Sequence, residues 1–334
     1  MRSRVPSPIF HSGFPDRNPQ VTHRLIRLLW PLLLTLLALT ATLSVNAQSE
    51  PVPERFATTA NHVDVPDNDI ESIFDITLQR CHAACLANGD CAAFTFNQRN
   101  GSCFLKDAAP DSQGYIDAIS GFVTDRSPAA LDRAREAALT LEFLDEYDFD
   151  LARQQADAMA ENYQAERETE AYWLDLATSL DVGQAVYATG AAVTVTDSGH
   201  AWLAHANARW ALAEASSSMT FDLRRRTISA AINAALRLPE PDRAEALLLM
   251  ARGLEGNSRG EAALEAVRLA DRIVPGIASE ELARLRERFG FRLLREDVEA
   301  TSAAPRICVW FSAALDPAKD YSSFVQRSTS TARP

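Results

Sequence analysis

Thr77-Leu-Gln-Arg-Cys81-His-Ala-Ala-Cys85-Leu-Ala-Asn88-Gly-Asp-Cys91-Ala-Ala-Phe-Thr-Phe96-Asn-Gln-Arg-Asn-Gly101-Ser-Cys103-Phe-Leu-Lys106 holds four of the chain's five cysteines. Thr77 is placed to cap a helix that Asn88-Gly89 ends, so Cys81 and Cys85, four apart, leave one helix face. Cys91 to Asn97 alternates as a strand, Asn100-Gly101 supplies a tight turn, and Ser102 to Lys106 returns as a second strand carrying Cys103. A helix with two thiols therefore faces a hairpin with two thiols. Three pairings are open. The nested one, Cys81–Cys103 with Cys85–Cys91, fits best, because the cysteine nearer the helix end meets the nearer strand. A four-thiolate zinc site is the rival reading, but the spacing lacks paired Cys-x-x-Cys knuckles.

Working outward, short β-type runs and most early glycines extend this cluster over residues 55–126. The segment resembles the apple, or PAN, domain. The residues that carry the likeness are the acidic lead-in Asp64-Val65-Pro66-Asp67-Asn68-Asp69-Ile70, then Cys81-His82-Ala83-Ala84-Cys85, Cys91-Ala92-Ala93-Phe94-Thr95-Phe96 and Cys103-Phe104-Leu105-Lys106. The resemblance implies a twisted antiparallel sheet clasping one helix, the same nested disulfides, and binding of protein or carbohydrate without chemistry.

Upstream, Leu28 to Val45 is an uncharged apolar run preceded by Arg24 and Arg27 and followed by Val45-Asn46-Ala47. A basic region, an apolar core and small residues at −3 and −1 describe a secretory signal over 1–47, cut between Ala47 and Gln48. Pro31 and the absence of a positive stop-transfer flank argue against an uncleaved anchor. Export implies a secreted or periplasmic protein that meets the membrane only during translocation, in a compartment where disulfides persist. Residues 48–54 read as a linker. Losing residues 1–47 removes five Arg and one Asp, leaving 28 basic and 44 acidic residues, a net charge of −16 over 287. That balance argues against a nucleic-acid partner, since phosphate binding needs a basic face.

Downstream, residues 128–298 contain no cysteine and are rich in Ala, Leu, Arg and Glu. Punctuation at Tyr147–Asp150, Thr196–Gly199, Pro239–Asp242, Asn257–Gly260 and Pro275-Gly276 divides them into about eight helices of 15–20 residues. Close-spaced alanines, as in Ala201-Trp202-Leu203-Ala204-His205-Ala206-Asn207-Ala208, suit paired helices. The expectation is an all-α, tetratricopeptide-like array with a concave protein-binding surface.

Motifs for catalysis are missing: there is no Gly-x-Ser-x-Gly, His-Glu-x-x-His, P-loop or Gly-x-Gly-x-x-Gly. His200 and His205 are five apart on a helix and point to different sides. Ser198-Gly199-His200 reads as a helix cap, and Asp67-Asn68-Asp69 as a turn, lacking the Gly and distal Glu of a calcium loop. The acidic run Glu142 to Asp150 reads as a solvated helix end. The chain is expected to have no catalytic residue, no metal and no cofactor.

At the C-terminal end, Pro305-Arg306-Ile307-Cys308-Val309-Trp310-Phe311-Ser312 opens a β-type stretch over 303–326, before a low-complexity, disordered tail at 327–334. Thirty residues cannot close a β-sandwich, and Cys308 is odd, a free or externally paired thiol. Both features suggest that the chain stops inside a domain. An exported apple segment, then helices, then this opening together resemble the N-terminal end of a bacterial alpha-2-macroglobulin-family protein. The resemblance implies that Cys308 opens the first of many macroglobulin-like sandwiches and that partners include proteases or a cell-envelope protein. The bait region and the Cys-x-Glu-Gln thioester of that family are missing. The expected function is the non-catalytic front of an exported endopeptidase inhibitor. The alternative is a stand-alone module that binds protein or carbohydrate.

Overall fold

The computed structural model describes residues 50–163, 165, 168–299, 301 and 306–322. The expected signal segment with its Ala47-Gln48 cleavage point, and the tail at 327–334, lie outside the described residues.

Five strands, β1 (Arg55–Asp64), β2 (Asp69–Ile73), β3 (Ala93–Asn97), β4 (Ser102–Lys106) and β5 (Gln113–Asp125), form an antiparallel sheet in the order β1-β5-β3-β4-β2. Helix α1 (Leu78–Ala87) lies across it. Thr77 caps α1 by accepting from the Arg80 amide at 3.3 Å, and Asn88 closes it, both as the residues dictate. The turn after β3 spans four residues, closed by the Gly101 amide on the Asn97 carbonyl at 3.0 Å. Gly101 sits at φ +64°, where a side chain is strained. Leu78, Phe94, Phe96, Leu105 and Ile119 form the core with the four cysteines. Phe94 lies against the backbone of Gly121, its partner across the ladder; a Cβ there would come within 2.1 Å of the ring.

Ten helices follow among the described residues: α2 (Pro128–Leu139), α3 (Glu146–Asp157), α4 (Met159–Asn162), α5 (Glu170–Ala177), α6 (Val182–Thr196), α7 (Gly199–Ala215), α8 (Thr220–Arg237), α9 (Arg243–Gly256), α10 (Gly260–Ile273) and α11 (Ser279–Phe289). They are more numerous and less uniform than expected. In a solenoid each repeat touches only its neighbours. Here α8 packs on α7 and α9 and also on α2 and α3. Its residues Thr227 to Leu236 are all buried, and a helix buried on every side belongs at a centre rather than in a row. Alanines 230, 231, 234 and 235 allow neighbours to approach from several directions.

The boundary expected at Tyr147–Asp150 is a helix start: these residues lie in the first turn of α3, where Asp145 and Asp148 form a reciprocal capping box. Three further expectations change. Asp148 is buried rather than solvated, because Arg259 reaches it with two bonds of 2.6 and 2.7 Å. The expected linker is docked over its described residues: Val52 is buried in the helical core, and Glu50 pairs with Arg135 at 2.9 Å. Helical structure also ends before 298. Residues Leu293–Glu299 form β6, paired antiparallel with β7 (Arg306–Phe311). No described helix is long and apolar enough to cross a membrane.

Candidate functional site

The residue spacing around the cysteines produces the nested pairing. Cys81 joins Cys103 and Cys85 joins Cys91, with Cα separations of 5.6 and 5.3 Å. All four sulfurs are buried, and as disulfides they offer no thiolates for zinc. The cross-links tie α1 to β4 and to the start of β3, so the sheet presents two defined ends.

One end is free and aromatic. The 98–101 turn lies at the opposite end of the ladder from the chain's exit at Arg126, since Asn97 faces Ala118 while Ala93 faces Phe122. On one side of this turn the Ile76 amide donates to Gly101 O at 3.1 Å, next to Asp75 and Phe74. On the other side Gln98 N donates to Asp117 O at 2.8 Å, and Arg99 pairs with the Asp117 carboxylate. Phe74, Tyr115 and Ile116 are 62%, 49% and 70% exposed at this end of the sheet, and Phe74 meets Phe104 edge-on at 6.4 Å. Planar polar side chains (Asp75, Gln98, Arg99, Asn100) stand between the apolar ones.

The other end is clasped. Asp197, at φ +49° between α6 and α7, accepts from Trp202 Nε1 at 2.6 Å and Arg237 Nη2 at 3.2 Å, and pairs with Arg126 as the chain leaves β5. Arg126 also donates to Pro53 O at 2.9 Å and lies 4.6 Å over the Phe56 ring. A cleft of about 70 Å³ remains beside this hub, with Phe56, His82 and Leu86 on one wall and Met159, Trp202 and Arg237 on the other. Burial lowers the pKa of His82, so its ring stays neutral there.

The other singled-out residues are scattered. His200 faces Asp242 at 3.0 Å on the surface, while His205 is fully buried between Thr189 and Arg209. Ser198 is the cap of α7, accepting from Ala201 N at 3.0 Å. Asp67 and Asn68 both have positive φ, a turn; buried Lys106 donates to Asp67 O at 3.1 Å and pairs with Asp69, so an ammonium holds the acidic turn. No cluster of three or more His, Cys, Asp or Glu among the described residues could hold a metal ion. Cys308 lies opposite Asp297 on the exposed β6–β7 hairpin, half-buried and outside any disulfide among the described residues. Sequence reasoning missed the Asp197 hub and the Asp148–Arg259 pair. A cap-forming Asp-Ser and an Asp-x-x-Asp signalled the local half of each, but nothing local signals an arginine 111 residues away.

Residues 56–124 match the family model described as PAN domain, and this segment is a PAN domain. No curated protein and no solved structure matches the chain.

Proposed function

We propose that the protein is an exported, non-catalytic binding module whose PAN domain contacts a protein or carbohydrate through its free end. The observation that carries this reading is the exposure of Phe74, Tyr115 and Ile116 at the end of the sheet opposite the clasp. Exposed aromatics interleaved with planar polar groups suit both sugar faces and protein hot spots. The helices act as a scaffold, and the two disulfides fit an oxidising compartment. Binding of the oxidised protein to immobilised glycans and to cell-envelope proteins tests this. Substituting Phe74→Ala together with Ile116→Ala should weaken binding at least tenfold; unchanged binding, or no ligand of either kind, would sink the reading.

A second reading makes the chain the front of an alpha-2-macroglobulin-like inhibitor. It draws on the β6–β7 hairpin, which leaves Val298, Ile307, Val309 and Trp310 exposed. Two strands with apolar faces open to water are marginal unless another layer covers them. The coding sequence beyond the codon for Pro334 decides it: macroglobulin-like sandwiches there, with a Cys-x-Glu-Gln site, support this reading, and their absence removes it.

A further inference from the structure

We propose that Tyr163 and Arg209 form a binding site for a carboxylate on the helical array, independent of the PAN domain's free end. Arg209, on α7, is only 7% exposed. Its Nε donates to His205 Nε2 at 2.8 Å and its Nη2 to the Tyr163 hydroxyl at 2.6 Å. Accepting from Arg209 forces the His205 proton onto Nδ1, so the ring is neutral and faces Thr189 Oγ1 at 3.1 Å. The Tyr163 phenol is neutral as well. This guanidinium therefore has two neutral acceptors and no carboxylate within ion-pair distance among the described residues, the Asp222 charge acting on it only from farther away.

The other buried arginines differ. Arg237 has Asp197, Arg243 has Glu240, and half-buried Arg259 has Asp148. A buried cation without a counter-ion is costly, and proteins keep such groups paired or bind an anion to them.

The donors around Arg209 are also in surplus. Tyr163 accepts from Arg209 while its own hydroxyl proton meets no acceptor among the described residues, and Arg209 Nη1 has none either, though it is not sealed from solvent. Arg226, on α8, adds a positive charge that bears on both Tyr163 and Arg209, and its partner Asp222 a negative one that bears on Arg209. Among the described residues Asp222 is the carboxylate paired here, and Arg225 and Arg226 share it. Three guanidinium groups thus stand against one carboxylate, in a chain whose net charge is −12. The half-exposed Tyr187 ring, 5.8 Å from that of Tyr163, forms an apolar wall. A planar carboxylate can accept from a guanidinium Nη and a phenol O–H together, and gains the charge that the site lacks. The chemistry fits an acidic side chain or the C-terminal carboxylate of a peptide laid across α6 to α8.

Acetate is the first probe, titrated into the oxidised protein by calorimetry and thermal unfolding against chloride at equal ionic strength. Acetate should raise Tm where chloride does not, and Arg226→Gln, at an exposed side chain, should raise the Kd at least tenfold. Tyr163→Phe keeps the ring, removes the hydroxyl donor and should also weaken binding. Two peptides separate the sources: one with glutamate and an amidated C-terminus, one neutral with a free C-terminus. Equal responses to acetate and chloride, or unchanged acetate binding in both variants, would overturn the proposal. So would an acetate response that appears only in Glu166→Gln, because the chain's own carboxylate would then be the occupant. Failure of PAN-domain binding leaves this result untouched.

Discussion

Within residues 56–124, five large apolar side chains and four half-cystines make the core, whereas Pro128 to Phe289 bury several times as many apolar side chains and no cysteine. The difference follows from surface-to-volume scaling. A unit of about 70 residues buries too small a fraction of its surface to be secure and gains from cross-links, while a larger helical core does not need them. The cross-links also free the PAN domain to expose aromatic residues at one end, because its stability does not rest on burying them.

The largest expected effects probe the two cores. Phe94→Ala should cost about 3–5 kcal/mol and Leu247→Ala, fully buried in α9, about 2–5 kcal/mol. No tryptophan lies within 56–124, and Trp173, Trp202 and Trp210 are on helices with Trp310 on β7, so tryptophan fluorescence reports regions outside the PAN domain while limited proteolysis reports the PAN domain. Phe94→Ala should open the PAN domain to protease and leave the fluorescence transition in place. A shift of both transitions together would make the regions one cooperative unit.

Next come the staples. The Cys81–Cys103 bridge closes a separation of 22 residues and Cys85–Cys91 one of 6. Loop entropy then makes paired alanine substitution cost about 3 kcal/mol for the first and about 2 kcal/mol for the second. Urea titrations of the two double variants check the order, and the helical transition should barely move in either.

A comparable loss is expected at the clasp. Asp197→Asn keeps a residue that tolerates the left-handed backbone and can still accept, but removes the charge from its bonds to two buried guanidinium groups, at a cost of about 2–3 kcal/mol. Hydrogen exchange should rise at Arg126 and Trp202 and remain unchanged around the disulfides. Loss of exchange protection throughout the PAN domain would mean that the clasp holds its fold, not merely its placement.

The smallest effect is acid sensitivity. Both regions bury a neutral histidine, and burial holds both below the ordinary pKa of 6.5. The unfolded chain then takes up a proton that the fold refuses, so stability falls as pH drops below about 6.5, by at most about 1.4 kcal/mol per pH unit for each histidine. His205 is fully buried and faces Arg209, whereas His82 feels the Asp197 carboxylate, which offsets part of its shift. His205→Gln should therefore flatten the acid slope of unfolding more than His82→Gln; the reverse order would make the PAN domain the acid-labile region.

How much was legible in the residues differs between the same two regions. In the PAN domain the cap at Thr77, the stop at Asn88, the return strand Ser102–Lys106 and the nested disulfides all follow from neighbours within about 25 residues. In the helical array only the boundaries with local punctuation, such as Ser198 and Pro239, were readable. Leu293–Glu299 carries Arg, Glu and Asp in a spacing that passes for a helix, and it is a strand because β7 pairs with it. The Tyr147–Asp150 stretch looked like a break because aromatic and acidic residues alternate, yet a capping box makes it a helix start.

The sequence by itself determined the cross-linked helix-and-hairpin unit, its family and the separation from an alanine-rich helical stretch, because those rest on hydrogen bonds and cysteine spacings closed over short loops. Only the tertiary structure decided that α8 is a hub, that Val52 is core, and that Asp197 joins Arg126 and Arg237. It also decided that Arg209 meets Tyr163 across 46 residues and Asp148 meets Arg259 across 111. Such pairs leave no local signal, because each partner alone is an ordinary polar residue on a helix. Packing of the apolar faces brings them together and removes the water that would otherwise make the meeting unimportant.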